Sequence, residues 1–130
     1  MPALPAASWT VRIGGLVAIV LGLFIWIMPS GSADGIRPLH ILVGILIVLG
    51  LWTLAALSLR AGGSPALPVI AIAWGVLLPI FGLTQANLLV GSGHVIVQVG
   101  HLLVGLISIG LGEALTARAG RAPRSGVAPS

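Results

Sequence analysis

Four long apolar segments account for most of this chain, and they constrain its fold more than any other feature. They cover approximately residues 11–28, 39–59, 67–87 and 94–117. A helix needs about 20 mostly apolar residues to cross the hydrocarbon core of a bilayer, because the core is about 30 Å thick and each helical residue rises about 1.5 Å. The sequence therefore predicts an all-α integral membrane protein, a bundle of four transmembrane helices.

The composition leaves little room for a separate soluble part. Of the 130 residues 58% are hydrophobic and only 6% are charged, whereas a soluble domain carries about 25% charged residues. We therefore expect one transmembrane domain over residues 1–119. Residues 120–130 are rich in Gly, Pro, Ser and Arg, which predicts a disordered tail.

The first apolar segment also has features of a cleaved signal peptide, since Arg12 precedes it and small residues follow it at 30–33. Its apolar stretch is long for a signal peptide, and three further segments follow. We therefore interpret it as a transmembrane helix that is retained.

The arginines predict the orientation of the chain in the membrane. Five of them fall on the side of the two termini, namely Arg12, Arg60, Arg118, Arg121 and Arg124. Arg37 falls on the other side, where Asp34 offsets it. Because short cytoplasmic loops carry the excess of positive charge, both termini should be cytoplasmic. This charge distribution suits a bacterial plasma membrane.

Several classes of function lack the residues they need. There is no cysteine, which excludes disulfides and thiolate chemistry. There is no lysine and no phosphate-binding glycine loop, and no basic stripe with aromatic residues that would predict binding to nucleic acid. No nucleophile, base and orienting acid can be combined either, so we do not expect an enzyme, except as an electron-transfer subunit of a larger redox enzyme.

A repeated motif suggests that the chain is built from two copies of one helical hairpin. His40 and Gly44 are matched, 61 residues later, by His101 and Gly105, and both motifs sit in apolar helices. The two repeats would cover about 9–60 and 67–119. Tandem hairpins have the same orientation in the membrane, so a pseudo-twofold axis along the membrane normal would relate them. This arrangement predicts that His40 and His101 lie at similar depth and can face each other.

Two histidines inside a membrane bundle indicate a functional site, and haem b is the cofactor that suits them best. Ionisable residues in membrane spans are costly and usually functional, and imidazole is a common axial ligand of haem iron. Gly44 and Gly105, one turn inward from His40 and His101, would leave room for a flat macrocycle. The hypothesis is therefore a haem iron held by both histidines.

Three further polar residues lie outward of the histidine pair. Arg37 is one turn from His40, while Gln98 and His94 are one and two turns from His101 on the same face of the fourth segment. They are candidates to bind the haem propionates near the outer surface.

Simpler roles for the polar residues remain open. His40 could hydrogen-bond to lipid headgroups or to a neighbouring carbonyl, and His101 could bond across helices, with Gln98 or Thr84 as its partner. A non-haem metal would lack carboxylates and a certain third ligand. Glu113, near the inner end of the fourth segment, is expected to lie at the membrane interface, with Arg60 or Arg118 as its partner.

In general plan the chain is similar to four-helix membrane cytochromes b with two histidine ligands. The similarity rests on His40, His101 and the bundle, and it assigns no further residues. Small multidrug exporters have the same number of helices, but they carry an acidic residue in the first helix, and residues 11–28 contain none.

Three functions follow from the sequence in order of preference. The first is a haem b electron-transfer or membrane-anchor subunit. The second is a cofactor-free structural subunit of a larger membrane complex, and the third is a small transporter. Besides the lipid bilayer, the expected partners are other membrane subunits or a second copy of the chain.

Overall fold

A computed structural model of the protein describes residues 2–29 and 31–121, and this part of the chain is almost entirely helical. The four helices are α1 (Ala3–Ile27), α2 (Arg37–Arg60), α3 (Ala66–Thr84) and α4 (His94–Ala119), with a short 3-10 turn at Gln85–Asn87. Each is long and apolar enough to cross a membrane, α3 together with its 3-10 turn. The prediction of four membrane-spanning helices is confirmed at this level.

Local chemistry sets several helix boundaries. The backbone of Met28 is extended, which ends α1 just before Pro29, and Pro38 lies in the first turn of α2, where its missing N–H is not needed. Gly62 and Gly63 both have positive φ angles, 87° and 86°. Residues with a Cβ rarely adopt this conformation, so these glycines allow the tight turn between α2 and α3.

Helix α1 starts earlier than the hydrophobic pattern predicts, at Ala3 rather than near residue 11. The apolar criterion identifies the part of a helix that crosses lipid, whereas helical backbone extends as far as its residues permit. The additional residues include three alanines, which favour helix. Pro5 lies in the first turn, where proline is tolerated.

The helices form an up-down bundle in which α2 and α4 are the central pair. Each of them contacts the other three helices, whereas α1 and α3 share no contact in the described part of the chain. The start of α1 packs beside the end of α2, the start of α3 and the end of α4. We call this the arginine end, since Arg12, Arg60, Arg118 and Arg121 lie there. The opposite end, which carries His40, His94 and His101, is the histidine end.

The densest packing lies toward the arginine end. Its core consists of buried residues from all four helices: Ala7, Val11, Leu51, Leu54, Ala55, Ala71 and Leu115. A second, smaller cluster of Ile47, Val48 and Leu78 lies nearer the middle. Large apolar side chains at the histidine end, such as Trp26, Ile27 and Leu83, are exposed.

The predicted disordered tail at 120–130 lies outside the described residues, except for Gly120 and Arg121, which continue from α4 as a turn. Arg124 therefore lies outside them as well.

Candidate functional site

The imidazole rings of His40 and His101 lie next to each other inside the bundle. Their ring centroids are 6.1 Å apart and their planes meet at 58°. His40 is in the first turn of α2 and His101 is in the third turn of α4, so both rings project from the central pair of helices. Both residues are half-buried.

Each histidine ring packs against a glycine of the preceding helix. A Cβ added to Gly22 in α1 would lie 3.2 Å from Cε1 of His40, and one added to Gly82 in α3 would lie 3.1 Å from Cε1 of His101. These distances are tighter than normal contacts, so the absence of a side chain allows each ring to approach the neighbouring backbone. Neither glycine was among the candidate site residues predicted from the sequence.

The two rings carry polar atoms that have no partner. The Nδ1 atoms of His40 and of His101 are buried, and neither forms a hydrogen bond within the described residues. A buried polar atom without a partner costs about 1–3 kcal/mol. The edge of Phe81 contacts the His101 ring with a centroid distance of 5.8 Å, which supplies an apolar neighbour but no acceptor.

Gly44 and Gly105 lie one turn inward from the histidines, beside open space. A Cβ added to either would meet no atom within 4 Å, although both residues are only partly exposed. The next turn inward on each helix is buried, at Val48 and Ser108. A methyl group at either position would therefore not clash with a neighbouring helix.

The three outer candidates differ in their surroundings. The side chain of Arg37 is exposed, and Gln98 is half-buried one turn outward of His101. His94 is about 10 Å further out than His101 along α4, and its Nδ1 is 3.1 Å from the carbonyl oxygen of Leu88. His94 is thus linked to the loop before α4, and the structure does not bring it to the histidine pair.

One proposed partner of His101 is occupied elsewhere. The hydroxyl of Thr84 donates a hydrogen bond to the carbonyl of Ile80 at 2.7 Å, so it bonds within α3 and not to His101. Inward of the histidine pair, two hydrogen bonds join α3 to α4. Nε1 of Trp74 in α3 lies 3.1 Å from the Val104 carbonyl and 3.2 Å from the Ser108 hydroxyl of α4.

The prediction that Glu113 pairs with Arg60 or Arg118 is wrong. Its carboxylate binds Arg12 of α1 through two contacts, Nε to Oε1 at 2.5 Å and Nη2 to Oε2 at 2.8 Å. The guanidinium of Arg12 also lies 5.4 Å from the ring of Trp9, while Arg118 donates to the Gly62 carbonyl at 2.9 Å. Arg12 reaches Glu113 because α1 and α4 pack against each other. This contact is difficult to predict because the two helices are far apart in the sequence.

The described residues hold no cluster of metal-ligating side chains larger than the histidine pair. They contain no group of three or more histidine, cysteine or acidic side chains that could hold a metal ion. No protein-family model, curated protein or solved structure matches this chain. Function is therefore inferred from the histidine pair and its surroundings.

Proposed function

We propose that this protein binds haem b between His40 and His101 and serves as an electron-transfer or membrane-anchor subunit of a larger redox assembly. The observation that carries the proposal is the juxtaposition of the two imidazoles, 6.1 Å apart, between the central helices. Residues from two helices that meet inside a bundle are a common way to build a cofactor site.

The distance between the rings suits ligation of one metal ion. If two imidazoles bind opposite sides of an ion with metal–nitrogen bonds of about 2 Å, their centroids lie about 6 Å apart. Either ring nitrogen of a histidine can be the ligand. The unpartnered Nδ1 atoms also support the proposal, because a site completed by a cofactor gives such groups a ligand or a hydrogen-bond partner.

The surroundings of the pair also suit a flat, apolar group. Gly44 and Gly105 adjoin open space where a larger side chain would project, and the ring of Phe81 supplies an apolar neighbour to His101. A haem held by His40 and His101 would supply reversible one-electron transfer. The chain itself would hold the iron and exclude water from it.

Arg37, Gln98 and His94 would act at the outer edge of this site. Propionates are carboxylates, and an exposed guanidinium near the membrane surface can bind them with two hydrogen bonds. Arg37, one turn outward of His40, is the strongest candidate. Gln98 and His94 offer further donors on α4, with His94 at the periphery because of its bond to Leu88.

The proposal includes the origin of the pair in a tandem duplication with parallel hairpins. Equivalent contacts support it: His40 packs on Gly22 as His101 packs on Gly82, at nearly equal distances. The arrangement of helices also supports it, because α2 and α4 are central and α1 and α3 are peripheral. A twofold relation would exchange the members of each of these two pairs.

The membrane assignment goes with this function. The arginine end would face the cytoplasm of a bacterial cell with both termini, and the histidine end would face outward. The haem would then lie in the outer half of the plasma membrane, where an external electron donor or acceptor can approach it.

Absorbance spectra of the purified full-length protein test this proposal directly. Protein made in haem-replete cells should show a Soret band and a reduced-minus-oxidised difference spectrum typical of a six-coordinate haem b. Variants His40→Ala and His101→Ala should each lose the six-coordinate spectrum. His94→Ala is the control for iron ligation: it removes a third imidazole, which the proposal places near a propionate and not at the iron, so the six-coordinate spectrum should persist.

Three outcomes would contradict the proposal. The first is wild-type protein without a Soret band, which co-purifies colourless with other membrane subunits and would indicate the structural function instead. The second is an unchanged spectrum in both His40→Ala and His101→Ala. The third is loss of the spectrum in His94→Ala with one of the inner variants unaffected, since this would assign the second ligand to His94.

A further inference from the structure

A groove opens at the arginine end, far from the histidine pair. It has a volume of about 530 Å³ and lies between the α2–α3 turn and the last turns of α4. Its apolar lining comes from Ala61, Leu67 and Ala114, and its polar lining from Arg118 and Arg121. The groove therefore combines a hydrophobic floor with two cationic groups at its rim.

Within the described residues, neither arginine of this groove is paired with a carboxylate. The sequence holds only two acidic side chains, Asp34 and Glu113. Glu113 is bound to Arg12 by both of its oxygens, and Asp34 lies in the loop between α1 and α2 at the histidine end. Within residues 2–29 and 31–121, the only ion pair is that between Arg12 and Glu113.

Backbone hydrogen bonds hold both guanidinium groups in place. Arg118 donates from Nη2 to the Gly62 carbonyl at 2.9 Å, and Arg121 donates from Nε to the Ala117 carbonyl at 3.0 Å. A guanidinium has five N–H donors, so each keeps several for a ligand. A Cβ added to Gly63 would lie 3.2 Å from Nη2 of Arg118, which shows how closely this side chain lies against the turn.

We propose that this groove binds the headgroup of an anionic phospholipid. Basic pockets at the cytoplasmic ends of membrane helices recognise lipid phosphates, and guanidinium groups pair well with phosphate oxygens. The groove lies where the helices end, at the level of the headgroups, and Leu67 in its floor would contact the glycerol backbone or the first carbons of a chain. The lipid phosphate would bind the two arginines at the rim, and the apolar part of the lipid would contact the floor. A free phosphate ion would make only the first of these contacts.

Native mass spectrometry of the detergent-solubilised full-length protein can measure this binding. Phosphatidylglycerol should bind at least tenfold more tightly than phosphatidylcholine of the same acyl chains. Since each arginine near an anionic surface contributes about 1 kcal/mol, Arg121→Ala should weaken phosphatidylglycerol binding about fivefold, and Arg118→Ala/Arg121→Ala about 25-fold. Arg60→Ala is the matched control, because it removes the same charge from the same end but does not line the groove, and it should change binding less than twofold.

The results that would overturn the proposal are distinct. Equal affinity of the wild-type protein for the two lipids would exclude an anionic-lipid site, independently of how any variant folds. Equal losses in Arg60→Ala and Arg121→Ala would indicate diffuse surface charge without a groove. Displacement of the lipid by inorganic phosphate at equal concentration would identify a phosphate site. None of these results depends on haem, so failure here leaves the proposed function standing.

Discussion

Replacement of Gly75 by alanine should destabilise the bundle more than the same change at other glycines, because it meets a rigid ring. A Cβ at Gly75 in α3 would lie 2.3 Å from Nε1 and 3.0 Å from Cδ1 of Trp52 in α2. The same Nε1 donates a hydrogen bond to the carbonyl of Ile72, at 3.2 Å. The indole must therefore move away from α3, and this movement breaks the bond that joins the two helices.

The net cost of Gly75→Ala can be worked out from three contributions. Overpacking of a tight contact costs about 1–3 kcal/mol, and the lost hydrogen bond costs about 1 kcal/mol. Alanine in place of glycine inside a helix stabilises the helix by about 1 kcal/mol, which offsets part of this cost. The free energy of unfolding should thus fall by about 1–3 kcal/mol.

Gly44→Ala and Gly105→Ala, measured in protein without bound haem, are the matched controls for this prediction. Both positions are helical and have no atom within 4 Å of an added Cβ, so only the gain of about 1 kcal/mol from helix propensity applies. Gly15→Ala should fall between the two cases. Its Cβ would lie 2.6 Å from both Cδ1 and Cγ1 of Ile109, an aliphatic branch whose displacement breaks no hydrogen bond between helices.

The measurement is reversible unfolding of the full-length protein in mixed micelles with increasing SDS, followed by circular dichroism and tryptophan fluorescence. The expected gap in unfolding free energy between Gly75→Ala and Gly44→Ala is about 2–4 kcal/mol. If Gly75→Ala is as stable as Gly44→Ala and its fluorescence is unchanged, then Trp52 does not pack on α3 as described here.

Two further predictions concern contacts that join α4 to its neighbours, and the same unfolding titration checks both. Arg12→Ala and Glu113→Gln should each lower the free energy of unfolding at low salt, and the double variant should lose no more than either single variant. The loss should vanish in about 1 M salt, because the half-exposed ion pair is then screened. A loss that persists in high salt would contradict this. Trp74→Phe removes the donor to the Val104 carbonyl and the Ser108 hydroxyl and should cost about 1 kcal/mol. Ser108→Ala should cost less, since the indole then still binds Val104; the reverse order would contradict the assignment.

The number and type of helices could be predicted from the sequence because the bilayer imposes a minimum length and apolar composition. The start of α1 could not, since the residues before 11 favour helix without being required to cross lipid.

Contacts between residues far apart in the sequence were hard to predict. Equal depth in two similar hairpins suggested that His40 and His101 could meet, and depth can be derived from position along a helix. The partner of Glu113 depends on which helices are neighbours, and Arg12 is 101 residues away in sequence. The equivalence of Gly22 and Gly82 was only weakly indicated by the sequence, because they align between the two hairpins after a one-residue slip.

The uneven packing of the bundle bears on how the histidine variants should be interpreted. Leu51, Leu54 and Leu115 are fully inaccessible to solvent and lie toward the arginine end, so most of the apolar contact between helices forms without the histidine pair. Loss of an imidazole should therefore leave the four helices assembled, and an absent Soret band in His40→Ala would report loss of a ligand. At the histidine end fewer side chains are buried between helices, so α2 and α4 can separate there at lower cost. A flat cofactor inserted between them would replace contacts that the chain alone does not make.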